Sequence, residues 1–203
     1  KTASKRFNDS LDMLLSRTQR PEENRRSIQA PHVYYMPEIP YFTYYPKEKL
    51  PWMAELEAAT DVITGELEQL LADHDSEFTP YIHSGLEEAQ KSKAELMDSR
   101  DWTSAYLWED STANESVLNT CPVTAEMMDA LPLTRIRGLA PSVLFSKLDA
   151  RTRIEPHCGL INTRLICHLP LVVPEGCGLR VGEDRGDMER GKAWAFDDSI
   201  NHE

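Results

Sequence analysis

The chain has 203 residues, 40% of them hydrophobic and 28% charged, with a formal net charge of −12 at pH 7. That length suits a single domain that can bury a full core without disulfide or metal staples. The acidic balance argues against nucleic acid or an anionic membrane surface as the main partner. The longest apolar run, "LICHLPLVV", is interrupted by His168 and Pro170 and is too short to span a bilayer.

The N-terminal stretch "KTASKRFNDS" lacks the apolar core of a signal peptide. Cys121, Cys158, Cys167 and Cys177 form no CxxC pair. They read as reduced, mostly buried thiols rather than a disulfide framework, which favours a cytoplasmic location.

Phe7, Leu11, Leu14 and Leu15 make one helical stripe, followed by the charged connector "RTQRPEENRRS". The next segment, "YYMPEIPYFTYYPKEKLPW", is rich in proline and aromatic residues and predicts an ordered loop covering an apolar surface. Trp52, Leu56, Ala59, Ile63, Leu67 and Leu70 recur at helical spacing, which predicts an amphipathic helix over 51–73.

After Asp101 the period changes. "DWTSAYLW", "SVLFSKL", "TRLICHLPLVV", "GLRV" and "KAWAF" are short and rich in β-formers, with "AEMMDALP" as a short helix among them. "GEDRGDMERGK" reads as a solvated turn. A mainly helical and loop portion over 1–100 and strands over 101–203 predict an α+β domain with an antiparallel sandwich or barrel. There is no βαβ alternation, phosphate loop or internal repeat.

The stretch "RIEPHCGLINTRLICH" gathers histidines, cysteines and arginines in a strand region. Alternation along a strand places Arg164, Ile166 and His168 on one face, an arrangement that suits a pocket for a carboxylate. The same rule groups Ser146 with Leu144 and Leu148. His157 falls in a turn and His202 follows the "AWAFDD" strand. Imidazole is a common metal ligand, so both are candidate ligands. His32, His74 and His83 read as structural. A zinc site from His157, Cys158, Cys167 and His168 has no standard spacing, and adjacent residues on an extended chain point apart.

The elements "PHxGxxNxRLxxH", "LxVPEGCGLRVG" and "GKAWAFDDSxxHE", in that order, resemble the aspartyl/asparaginyl β-hydroxylase family. Looser similarity runs upstream through "DWTSAYLW" and "YMPEIPYFTYYPKEKLPWMAELEAA". The resemblance implies a double-stranded β-helix (jelly-roll, cupin-like) core with N-terminal helices packed on it, one oxygenase domain over 1–203. It also implies Fe(II), 2-oxoglutarate and O2, with release of succinate and CO2. His157 and His202 would be the iron ligands. Gly159 stands where an HxD motif would carry a carboxylate ligand, so the usual two-histidine, one-carboxylate triad is not expected.

By the same resemblance, Ser146 and His168 would hold 2-oxoglutarate, Trp102 would line that pocket, and Arg164 would meet a substrate carboxylate. Ile166 stands where peptide-hydroxylating relatives carry a second arginine. Loss of that cationic fork points to a small carboxylate-bearing substrate rather than a protein side chain. An arginine pairing with 2-oxoglutarate, on a closing strand, is expected beyond Glu203. Residues 34–52 and Trp108 are candidate pocket walls or a seal over the core. Two competing readings remain at this level: a catalytically silent β-helix binding module, and a metal-dependent isomerase or hydrolase using the same histidines.

Overall fold

The computed structural model describes residues 4–20, 28–82, 96 and 98–203. His83 and residues 21–27 of the charged connector lie outside the described residues. In chain order the elements are α1 (Lys5–Leu14), α2 (Met53–Ala58), α3 (Thr60–Asp73), β1 (Thr79–Pro80), β2 (Trp102–Glu109) and β3 (Thr112–Ala113). They continue with α4 (Glu115–Thr120), α5 (Pro122–Ala130), β4 (Val143–Leu148), β5 (Ile166–His168), β6 (Gly178–Val181), β7 (Asp184–Asp187) and β8 (Trp194–Phe196). The fold is therefore mixed α and β. Among the described residues the strands form three antiparallel sheets and no closed barrel. No described helix is long and apolar enough to cross a membrane.

Contacts divide the chain into two compact units: Lys1–Met53 with Glu155–Glu203, and Ala54–Ile154. In the second unit β2 pairs with β1, β3 and β4, so ladders flank it and five of its eight residues, Trp102, Thr103, Ser104, Ala105 and Leu107, are buried. α3 packs against α4 and α5, and α4 against β2. The helix expected over 51–73 is interrupted at Ala59, which leaves helical geometry (φ −91°, ψ 4°). The Thr60 hydroxyl donates to the Glu57 carbonyl at 2.7 Å, satisfying a backbone acceptor that a continuous helix would use.

α5 has no capping side chain at Cys121 and starts with Pro122. Its exposed amides are met from α3 instead. Glu66 accepts from the Val123 and Thr124 amides, both at 2.8 Å, and from the Thr124 hydroxyl at 2.6 Å. A carboxylate at a helix N-terminus satisfies unpaired donors and complements the helix dipole.

In the first unit, β5 pairs with β8, and β6 with β7. Its core is Leu179, Val181, Phe196 and Ile200, with Tyr44, Ile166, Met188 and Trp194 packed against it. Tyr44 comes from the proline- and aromatic-rich loop, which covers an apolar cluster as its composition suggests. Its hydroxyl donates to the Leu179 carbonyl at 2.6 Å, and its ring meets Trp194 at 5.6 Å. The strand expected over "TRLICHLPLVV" shrinks to three residues, because Pro170 and Pro174 cannot donate to a ladder.

The segment read as a solvated turn contains β7. The two-residue turn Gly182–Glu183 closes the β6–β7 hairpin, with Gly182 at φ +62°, where glycine carries no steric penalty. The stripe of α1 is also less buried than expected: Phe7 is 42% exposed and Leu14 44%, whereas Ser10 is fully buried. The Ser10 hydroxyl bonds Tyr34 at 2.8 Å, so α1 is docked through a polar contact. The thiols differ from expectation too. All four are free, but only Cys121 is buried, Cys158 and Cys177 are half-buried, and Cys167 is exposed.

The Glu66 contact gives a direct test. Glu66→Ala should lower stability to chemical denaturation by about 1–2 kcal/mol, the typical cost of losing a cap. An unchanged denaturation midpoint would mean that water replaces the carboxylate without loss.

Candidate functional site

His157 and His202 are far apart in sequence but directly opposed in space. The His157 amide donates to the His202 carbonyl and the His202 amide to the His157 carbonyl, each at 2.9 Å. This is a hydrogen-bonded antiparallel pair, which puts opposed side chains on one face. Their ring centroids lie 4.0 Å apart.

Each ring is oriented by its own chain. Nδ1 of His157 bonds the Glu155 carbonyl at 2.8 Å, and Nδ1 of His202 bonds the Ile200 carbonyl at 2.9 Å. A carbonyl can only accept, so both Nδ1 atoms carry the proton, and in the neutral ring the lone pair resides on Nε2. A bond from Nδ1 to a backbone carbonyl is one of the ways in which a metal-binding imidazole is oriented.

Gly159 sits at a point of close approach. Its amide donates to the Asp198 carbonyl at 2.6 Å, and a Cβ there would lie 2.1 Å from Asp198 Oδ2. Any side chain at 159 would collide with the Asp198 carboxylate. Asp198, 5% exposed, is held by Arg164 through Nη2 to Oδ2 at 2.6 Å and Nε to Oδ1 at 3.5 Å. The arginine expected to meet a substrate carboxylate therefore pairs with one from the chain itself.

Asp197, next in line, turns the other way into a buried polar network. Its Oδ1 accepts from the Ser199 amide at 3.0 Å and hydroxyl at 2.6 Å, and its Oδ2 from Gln29 Nε2 at 2.5 Å. Asn162 Nδ2 donates to Gln29 Oε1 and to the Met36 carbonyl, both at 2.9 Å, and Asn162 Oδ1 accepts from the Met36 amide at 2.8 Å. Burial pushes the Asp197 carboxyl up, while the bonds from Ser199 and Gln29 oppose that shift.

His168, on β5, meets Phe196 edge-on at 5.2 Å, and Phe196 meets His202 at 5.3 Å. Burial first, and the neighbouring His202 second, hold the His168 imidazole down at about 4. It is neutral near pH 7 and able to donate a hydrogen bond without carrying charge. Ile166, two residues before it, packs against the Leu179, Val181, Phe196 and Ile200 core.

Ser146 and Trp102 belong to the second unit. They come together there across the β2–β4 ladder, with Trp102 Nε1 donating to Ser146 Oγ at 3.0 Å. Trp102 also stacks on Tyr81 at 4.3 Å.

The first unit thus assembles His157, His202, His168, Arg164 and Ile166, and the second assembles Ser146 and Trp102. The four-residue zinc alternative is not assembled. Among the described residues no group of three or more His, Cys, Asp or Glu side chains could hold a metal ion. A two-imidazole donor set fits these residues: the Asp198 carboxylate takes the space of any side chain at 159 but is paired with Arg164, and among the described residues no third His, Cys, Asp or Glu joins the two imidazoles.

Sequence reasoning did not single out Asp197, Asp198, Asn162, Gln29 or Arg180. "FDDS" alone reads as a polar turn, and only its spacing before His202 marks it. Asn162 is the asparagine of the quoted "PHxGxxNxRLxxH" element, which assigned it no role, and nothing in the sequence around Gln29 points to its buried partners.

The sequence model of a family described as aspartyl/asparaginyl beta-hydroxylase matches residues 57–203. A human protein named aspartyl/asparaginyl beta-hydroxylase is 35% identical over 111 residues, 53% of this chain and 14% of that protein. Aspartate beta-hydroxylase domain-containing protein 2 of Xenopus tropicalis is 30% identical over 179 residues, 88% of this chain and 46% of that protein. The human protein of the same name is 26% identical over 179 residues, 46% of its length. The chain spans less than half the length of these relatives.

The lowered His168 predicts a pH dependence. The unfolded imidazole titrates near 6.5 and the folded one near 4, so between these values the unfolded state binds more protons. The stability associated with neutral His168 is complete above pH 6.5 and is lost as pH falls towards 4. His168→Gln should flatten the acid side of a stability–pH profile in that window. Parallel profiles for the two proteins would contradict the assignment.

Proposed function

Because the chain belongs to the aspartyl/asparaginyl β-hydroxylase family, we propose that it is an Fe(II)- and 2-oxoglutarate-dependent oxygenase acting on a C–H bond of a small carboxylate-bearing substrate. The observation that carries this reading is the reciprocal His157–His202 bridge, with both Nδ1 protons committed to backbone carbonyls. His157 and His202 would hold the metal through Nε2. Bound Fe(II), with 2-oxoglutarate and O2, supplies oxidation of a C–H bond with release of succinate and CO2.

The remaining roles belong to the chain's own groups. Neutral His168 would donate to a 2-oxoglutarate carboxylate without placing a second positive charge beside the metal. Ser146 and Trp102 take their proposed 2-oxoglutarate roles from the family resemblance alone. Arg164 would orient a substrate carboxylate, with Asp198 setting its direction. By the resemblance, Ile166 stands where peptide-hydroxylating relatives would carry a second arginine, and an apolar group there supports a smaller substrate with fewer anionic groups. We read the family core as a double-stranded β-helix and residues 1–203 as one oxygenase domain, because the family match includes parts of both units.

Anaerobic titration of the full-length protein with Fe(II) and 2-oxoglutarate tests the proposal. A visible iron-to-ketoacid charge-transfer band is expected, lost in both His157→Ala and His202→Ala. Succinate release then screens amino acids and related carboxylates as substrates. An iron-bound protein with no band would overturn the oxygenase reading and leave a metal-binding module.

A further inference from the structure

We infer that Arg180 is a positioning residue for His202: its guanidinium clamps the chain on both sides of that histidine and so fixes the ring as a metal ligand. The inference rests on the proposed metal role of His202.

Arg180 is on β6, beside the segment Asn201–Glu203. Backbone bonds already join the two. The Arg180 amide donates to the Glu203 carbonyl and the Glu203 amide to the Arg180 carbonyl, each at 3.0 Å, while the Gly182 amide donates to the Asn201 carbonyl at 2.8 Å. Val181 bridges His202 directly. His202 therefore lies in the middle of three aligned backbones, with His157 on one side and Val181 on the other.

The Arg180 side chain adds a second set of bonds to the same segment. Nε donates to Glu203 Oε1 at 2.6 Å, and Nη2 to Asn201 Oδ1 at 2.8 Å. Nη1 donates to the Gly182 carbonyl at 2.7 Å and to the Asn201 carbonyl at 3.3 Å. Three of these four bonds end on the residues immediately before and after His202. The planar fork can reach both flanking residues at once, which a lysine ammonium cannot do. The charge pair is also well shielded, with side chains 16% and 20% exposed.

The consequence concerns the ring rather than the fold alone. Nδ1 of His202 bonds the Ile200 carbonyl, so the ring's orientation depends on how the chain from Ile200 to Glu203 is held. Loosening that chain frees the imidazole to rotate and to change tautomer. Groups that orient a ligand in this way typically contribute about ten- to hundred-fold to metal affinity.

The test uses Arg180→Met and Arg180→Lys in the full-length protein, with two readouts. Imidazole nitrogen chemical shifts of the metal-free protein report the His202 tautomer, and anaerobic Co(II) titration reports affinity. Both variants should melt cooperatively, show a mixed His202 tautomer while His157 keeps its own, and bind Co(II) about ten- to hundred-fold more weakly. Should Arg180→Met fail to fold, Asn201→Ala and Glu203→Gln remove single anchors and should shift both readouts in the same direction by smaller amounts.

A His202 tautomer and Co(II) affinity unchanged in every variant would overturn the inference. Failure of the wild-type protein to bind Co(II) would sink the oxygenase reading and with it the metal role. The tautomer comparison would still decide whether Arg180 positions the ring.

Discussion

The candidate site depends on one backbone interaction, the pair of 2.9 Å hydrogen bonds that joins His157 to His202. Side chains alone could not bring these residues together without a large loss of conformational freedom. A hydrogen-bonded antiparallel pair meets that cost with bonds the backbone must make in any case. It also specifies the geometry, because opposed residues share a face and the two rings meet at 4.0 Å. The two Nδ1 contacts then remove the tautomeric freedom that remains.

Around this pair, charge is handled by local compensation. Asp197 and Asp198 are adjacent and both nearly excluded from solvent, at 1% and 5% exposure. Two buried carboxylates side by side would be costly if both faced the same way. They diverge instead: Asp198 meets Arg164, and Asp197 meets Ser199 and Gln29. The choice of glycine at 159 belongs to the same arrangement, since the Asp198 carboxylate fills the space a side chain would need. A third protein carboxylate and the Arg164–Asp198 pair exclude one another sterically here.

Much of this was legible in the sequence where a periodic or ordered pattern existed. Strands β2, β4, β6 and β8 follow segments rich in β-formers, and α3 lies within the helical repeat that begins at Trp52. The motifs around His157 and His202 were legible because their order and spacing are specific to a family. The break at Ala59 leaves no trace in the sequence, because alanine favours helix and a threonine at 60 does not by itself mark a hydroxyl that meets the Glu57 carbonyl. β7 was hidden by its charge, which is compatible with an exposed strand once Gly182 supplies the turn. Arg180 looked like one basic residue among many, since nothing local to "GLRV" records that its partners lie at 201 and 203. Pairings between distant segments leave no periodic trace.

The most direct test of the central claim is X-ray absorption on the protein loaded anaerobically with one equivalent of Fe(II). Ligation by His157 and His202 predicts an outer-sphere pattern from two imidazoles, with the other ligands being light oxygen donors and no sulfur. A sulfur scatterer, or an imidazole count other than two, would contradict the proposed assignment of His157 and His202 as the metal ligands.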